Sequence, residues 1–347
     1  MVTHTVVPDK SGLTDTDVPQ DVNKSALHSL DARADRFDFR DLPFRPQLKS
    51  LNTIFPDDAI IKERLPAYVK QGLILNQGRE GACTGFGLAC VANYLLWTRH
   101  QENGESEQFE KVSPRMFYEM AKRYDEWPGT EYQGSSCRGA LKGWQKHGVC
   151  SEQCWPFTLD QEGNAVFQRP AEDWADNAAR RPLGIYYRVD RQTIADMQAA
   201  ISEIGAIYVS CKVHDGWENL NSLKKRKISA PQSHAEIPVI GQAKKPIFSG
   251  HSFAMVGYND SGFVVQNSWG EKWGAGGFAI LTYDDWIVNG TDCWACALGV
   301  PIKVRLNGIL QTVKPSPFRL SSRSLTELDR ATRQPGNPPN DPWPIPF

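Results

Sequence analysis

Four residues in this chain have types and spacings that can do acyl chemistry together. Cys83 ends a glycine-rich approach, Gln77-Gly-Arg-Glu-Gly-Ala, and opens a mostly apolar stretch that reads as a buried helix. A thiol in the first turn of a helix faces unpaired backbone N–H groups and the positive end of the dipole. Both favour the reactive thiolate and lower its pKa from about 8.5. Gln77 lies six residues earlier across Gly78 and Gly81, so a loop can return its amide to the sulfur. With the Cys83 backbone N–H it would hold the oxyanion of a tetrahedral intermediate. His251 enters one strand pattern, and Asn267, sixteen residues on, ends the next. In an antiparallel hairpin the start of one strand and the end of the other are adjacent. The Asn267 side-chain oxygen can therefore accept the imidazole N–H and fix the ring's tautomer, with Trp269 covering the bond. Singly, each residue has a plainer explanation. A cysteine in an apolar helix is usually a packed small side chain, which is how Cys90 reads. Gln77 alone is a loop glutamine, and His4, His28, His100, His147, His214 and His234 read as surface or locally bonded residues.

Elements of two kinds must position these groups. Ser113-Pro114 is a capping hydroxyl followed by proline at the first helical position, and Phe117, Ala121 and Tyr124 then share one face. Ile194, Met197, Ile201 and Ile204 mark a second amphipathic helix that Gly205 stops. Strand patterns follow: Ile207 to Val213, Phe253 to Tyr258, Phe263 to Asn267 and Gly277 to Tyr283, with Asn259-Asp-Ser-Gly262 as a hairpin turn. Helices first and antiparallel strands second is a segregated α+β pattern, whose natural outcome is two lobes and a cleft.

The ends differ from this middle. Residues 1 to about 35 are polar, charged and without apolar periodicity, so they read as a flexible lead-in. The stretch from Phe37 to Pro46 mixes aromatics with prolines and reads as lying extended over a surface, across or near the cleft. Residues 333–347 contain too many prolines for helix or central strand. With 39 basic and 40 acidic side chains, the overall charge recommends neither nucleic acid nor an anionic membrane as partner. The run Lys224, Lys225, Arg226, Lys227 reads as a solvated loop. No secretory signal or spanning apolar run is present, so the expected location is cytoplasmic, or outside by a route without a classical signal. Eight cysteines would leave an odd number beside a catalytic one, which points to reduced thiols, with Cys150 and Cys154 able to pair. Cys293 and Cys296, three apart in a strand pattern, point to opposite faces and make a poor chelate.

Gln77-Gly-Arg-Glu-Gly-Ala-Cys83, Gly250-His251 and Gln266-Asn-Ser-Trp-Gly270, followed by Trp273-Gly274 and Gly276-Gly-Phe278, together resemble the papain-like cysteine peptidases, as bacterial members have them. The stretch from Gly134 to Phe157 is similar to the corresponding region. The resemblance covers residues 64–302 and implies a helical lobe over about 64–185 and an antiparallel sheet or barrel lobe over about 186–302. Residues 1–63 are then expected to be an N-terminal extension, partly flexible and able to cover the cleft, and 303–347 a C-terminal extension with the proline-rich tail. The implied activity is endopeptidase cleavage of a protein or peptide substrate through a Cys83 thiolate and His251 imidazolium, with Asn267 and Gln77 in the roles above and no metal or organic cofactor. Substrate preference would rest on an apolar wall facing the second residue before the cut. Gly134 and Ser135 on one lobe, Ser210 and Ser249 on the other, and Trp269 are the candidate substrate contacts.

Two departures from the family pattern stand out. Glu80-Gly-Ala-Cys83-Thr84 replaces the secreted members' Cys-Gly-Ser-Cys-Trp, so their disulfide beside the nucleophile cannot form and threonine replaces a cleft tryptophan. The chain between Cys211 and His251 is also long. Two other functions fit the same residues: acyl transfer or glutamine deamidation, and an inactive protein that binds through its cleft or proline-rich tail. An inhibitory contact by the N-terminal segment is a further expectation.

Overall fold

The structure, a computed structural model, describes residues 30–105, 108–126, 134–220, 230–243, 246–306 and 309–313. The basic run at 224–227, residues 1–29 and the proline-rich tail lie outside them. After the two-residue strand β1 (Ala32–Arg33), the first lobe is helical: α1 (Asp58–Lys70), α2 (Cys83–Glu102), α3 (Pro114–Arg123), α4 (Cys137–His147) and α5 (Trp174–Ala179). It also holds β2 (Ser135–Ser136) and a hairpin of β3 (Thr158–Leu159) and β4 (Ala165–Val166). The second lobe follows as β5 (Leu183–Arg188), α6 (Ile194–Ile204), β6 (Ile207–His214), α7 (Asp215–Asn219), β7 (Pro246–Tyr258), β8 (Gly262–Gln266), β9 (Phe278–Thr282), α8 (Tyr283–Asn289) and β10 (Gly290–Leu298). A last hairpin joins β11 (Ile302–Leu306) to β12 (Ile309–Val313).

Local chemistry sets the helix ends. The Ser113 hydroxyl accepts the Met116 N–H at 2.9 Å and so caps α3, a contact worth about 1 kcal/mol. Gly205 ends α6 with φ of 103°, a backbone region that glycine adopts without a Cβ clash. Strand β8 returns from β7 through Asn259, whose side-chain oxygen accepts the N–H groups of Ser261 and Gly262 and closes the turn.

The central sheet is antiparallel throughout, in the order β5-β10-β6-β7-β8-β9. Side chains alternate across it, and each face has its own core. Tyr208, Ala254, Val256, Val264, Trp294 and Cys296 pack with the helices of the first lobe. Ile207, Val209, Phe253, Met255, Val265 and Cys293 pack on the other side with Met197 and Ile201 of α6 and with Trp217 and Trp286. The expected opposite orientation of Cys293 and Cys296 follows from this period of two. All eight cysteines are free thiols, Cys150 and Cys154 included. Among the described residues no helix is long and apolar enough to cross a membrane.

Candidate active site

Helix α2 carries Cys83 at its first position and runs buried between the lobes. Gly87 lets it lie directly on β7, because a Cβ there would sit 2.8 Å from the backbone of Ser252 and Phe253. That approach brings the start of α2 to the start of the histidine strand. Cys83 Sγ lies 4.0 Å from the carbonyl oxygen of Gly250, the residue before His251. No side chain caps α2, so the first N–H groups of the helix are not taken by a capping group. Behind Cys83, the buried Arg115 binds Glu80 at 2.6 Å and Glu119 at 3.0 Å, which fixes the loop before Cys83.

Gln77, Ser268, Asn267 and His251 form one chain of hydrogen bonds. The Ser268 hydroxyl donates to Gln77 Oε1 at 2.9 Å, and the Ser268 N–H donates to Asn267 Oδ1 at 2.8 Å. His251 Nε2 also meets Asn267 Oδ1, at 2.8 Å. An oxygen that already accepts a backbone N–H must be an acceptor, so the proton of this contact sits on His251 Nε2. The Gln77 loop is stitched to the asparagine loop as well, with Gln77 N–H donating to Ser268 O and Gly270 N–H to Leu75 O. Trp269 lies tilted over the His251 ring at 5.1 Å, and Trp217 meets the same ring edge-on at 6.0 Å. All four chemical side chains are fully buried.

Over Cys83 lies the chain's own N-terminal segment. Ala32 and Arg33 pair in parallel with Ser135 and Ser136, laying residues 30–35 across the cleft as a strap. Three glycines make the channel. A Cβ on Gly250 would lie 1.9 Å from Ala32 O, on Gly134 2.3 Å from Asp31 O, and on Gly81 2.4 Å from an Asp31 carboxylate oxygen. Burial pushes the Cys83 thiol up to about 11, while backbone hydrogen bonds from Asp31, Ser252 and Thr84 pull it down. The sequence led to the opposite direction, because the helix start was weighed without a strap that excludes water. Asp31 presents its N–H to the sulfur.

Beyond β1 the strap is gripped through its carboxyl groups. Asp35 has a fully buried side chain that accepts the Arg138 N–H at 2.9 Å and the Trp294 indole N–H at 2.8 Å, with Arg188 at 3.4 Å. Its own N–H donates to Asp292 Oδ2 at 3.2 Å. Asp292 in turn accepts from Arg188 at 2.7 Å and from the Ser210 hydroxyl at 2.9 Å. Asp41 takes the Arg138 guanidinium from the other side at 3.0 Å, and Glu126 completes that cluster. Leu42 and Phe44 then exchange backbone hydrogen bonds with Arg188, at 2.8 Å each.

The covering segment therefore differs from the sequence expectation. Residues 30–35, read as flexible, occupy the cleft, whereas Phe37 and Phe39 point to solvent, 83% and 93% exposed. Aromatics do not fit a channel walled by glycines; small residues and main chain do. Among the candidate substrate contacts, Gly134 and Ser135 touch the strap, Ser210 binds Asp292, Ser249 is buried just before Gly250, and Trp269 lies on His251. The expected apolar wall is absent from this part of the cleft. Asp292, Ser210 and Ser252 form a cross-strand row over β10, β6 and β7, and all three are buried with Ser135 and Ser136. Thr84, where relatives place tryptophan, shares a 2.5 Å hydrogen bond with Ser135. Arg138, Arg188, Asp292 and Trp294 were not singled out from sequence. Strand alternation across Asp292 and Trp294 was the available signal. Among the described residues no cluster of three or more His, Cys, Asp or Glu side chains is disposed to hold a metal ion.

A two-lobed α+β fold with a cysteine on a helix start and a histidine and asparagine on the facing sheet defines a thiol-dependent hydrolase architecture. The chain belongs to the papain family of cysteine proteases, whose family model matches residues 74–291. It is similar to an uncharacterized peptidase C1-like protein of Acanthamoeba polyphaga mimivirus, 26% identical over 218 residues, which span 60% of this chain and 64% of the relative's length. Among solved structures it is similar to xylellain, a cysteine protease of Xylella fastidiosa (TM-score 0.57, 20% identity, 77% of this chain and 95% of that one). Procathepsin B S9 of Trypanosoma congolense aligns with TM-score 0.54 and 14% identity over 77% of this chain and 86% of its own.

Proposed function

We propose that the chain is a cysteine endopeptidase held closed by residues 30–35. The observation that carries this reading is the strap itself: the cleft over Cys83 already accommodates an extended polypeptide main chain, paired to Ser135 and packed on Gly250. With a substrate in that channel, Cys83 Sγ attacks the scissile carbonyl carbon, and the oxyanion is held by the Cys83 N–H and the Gln77 amide. The His251 Nε2 proton rests on Asn267, so Nδ1 is the nitrogen that takes the thiol proton and passes it to the leaving amine. The C–N bond breaks, leaving a thioester on Cys83. Water then attacks that thioester, regenerating the thiol and releasing the acid.

Restraint by the strap has the same support. A buried neutral thiol and the hydrogen-bonded grip on Asp35 and Asp41 favour an intact, uncleaved segment. The test is a peptidyl epoxide probe and a fluorogenic peptide, applied to the full chain and to Cys83→Ala. The expected outcome is label on Cys83 alone and a fall in peptide hydrolysis on the order of 10⁴-fold or more in the variant. Equal labelling of Cys90 or Cys211 would overturn the assignment.

A further inference from the structure

The loop between Gln77 and Cys83 is held from behind by a charged fork. Arg115, the second residue of α3, has a buried side chain. Its two terminal nitrogens meet the Glu80 carboxylate in parallel, Nη1 to Oε1 at 2.9 Å and Nη2 to Oε2 at 2.6 Å, and Nη1 also donates to Glu119 at 3.0 Å. The guanidinium lies over the rings of Phe157 at 4.8 Å and Phe167 at 5.5 Å, which restricts its turning. The fold places the fork by pressing α3 onto α2. A Cβ on Gly85, two residues past Cys83, would lie 2.6 Å from the Tyr118 nitrogen and 2.7 Å from Pro114 O.

Glu80 is also the residue whose carbonyl oxygen accepts the Gln77 amide, at 3.2 Å from Nε2. The Gln77 oxygen meanwhile accepts the Ser268 hydroxyl at 2.9 Å. An amide pinned at its oxygen and at one N–H has the direction of its other N–H fixed as well. Between them, Arg79 N–H donates to Gly163 O at 2.9 Å, so the β3–β4 hairpin holds the same loop from another side. No disulfide shares this task, because every cysteine is a free thiol and glutamate stands at position 80 where the family pattern has a cysteine.

Resting on the peptidase reading, we propose that Arg115 and Glu80 are positioning residues for the reaction: their fork holds the Glu80 carbonyl and through it aims the Gln77 amide at the oxyanion. A bidentate pair between arginine and carboxylate fixes angle as well as distance, which is what a cross-link would do here. The defect expected from its loss is specific. The oxyanion forms only as the thiolate adds to the carbonyl, so a misaimed Gln77 lowers kcat and leaves KM in place. Alkylation of Cys83 by iodoacetamide displaces iodide at a saturated carbon and makes no oxyanion, so it does not respond. A fork that merely kept the lobe folded would move both.

The experiment uses the full chain, a fluorogenic peptide and iodoacetamide. Arg115→Met keeps an unbranched chain among the rings and has no fork. Its kcat should fall roughly 10- to 100-fold, with KM and the Cys83 alkylation rate within about threefold of wild type. Glu80→Gln keeps one oxygen for Arg115 and should lower kcat by about threefold or more; it carries the test if Arg115→Met does not fold. Gln77→Ala is the decisive background: with the amide gone, adding either substitution should change kcat by less than about twofold. Full additivity in the double variant, or alkylation falling together with kcat, overturns the proposal. If the wild type cuts no peptide, the hydrolase reading fails and the fork is judged by amide exchange in the same variants. Faster exchange confined to residues 77–82 supports it, and unchanged or chain-wide faster exchange overturns it.

Discussion

The strap is held at two places by unlike means. Around Asp31 and Ala32 the contact is main chain against Gly81, Gly134 and Gly250, where a Cβ on any of the three would clash. Around Asp35 and Asp41 it is carboxyl groups hydrogen-bonded to Arg138 of the helical lobe and Arg188 of the sheet lobe. A glycine channel is indifferent to pH and specific for shape, while a carboxyl clasp responds to protonation and is nearly blind to shape. The first region can thus serve any peptide, and the second can set how readily the strap leaves.

The sharpest way to break this division is Gly250→Val. Its Cβ would meet Ala32 O, so the variant should expel the strap and block peptides alike: hydrolysis falls on the order of 100-fold while iodoacetamide reaches Cys83 faster. Slow labelling together with lost hydrolysis would mean the strap stays. Asn267→Ala should act on chemistry alone, lowering kcat/KM roughly 10- to 100-fold because His251 loses the acceptor that fixes its tautomer. Amide exchange at Ala32 and Arg33, read by mass spectrometry, should stay as in the wild type.

The smallest effect concerns the clasp and has a definite sign. The Asp35 carboxyl is raised by burial from 3.8 to about 7 in the docked strap, so docking favours its protonated form. This contribution is complete below about pH 4 and is lost as pH rises through about 7. Asp292, Arg188 and Arg138 face it directly, with Asp41 and Glu126 acting through Arg138. The ratio of Cys83 alkylation rates, wild type over Asp35→Asn, should climb as pH rises between those limits. A flat ratio would show that charge does not govern release.

Much of the site was legible because it is local or periodic. The cap at Ser113, the stop at Gly205 and the hairpin between His251 and Asn267 each rest on a few adjacent residues. The strap was legible only in part. Its aromatic stretch looked like a covering, yet the residues that enter the cleft are Asp31, Ala32 and Asp35, whose types say nothing by themselves. Asp292 and Trp294 were hidden for the same reason, since their partners lie more than 250 residues away at Asp35.

The sequence by itself determined the candidate set at Gln77, Cys83, His251 and Asn267 and the order of helices before strands, because spacing and periodicity are properties of neighbouring residues. Tertiary structure alone decided what covers Cys83, which way its thiol is shifted and what surrounds Asp35 beyond it. Those depend on water exclusion and on charges from distant segments, which exist only once the two lobes and the strap have closed on one another.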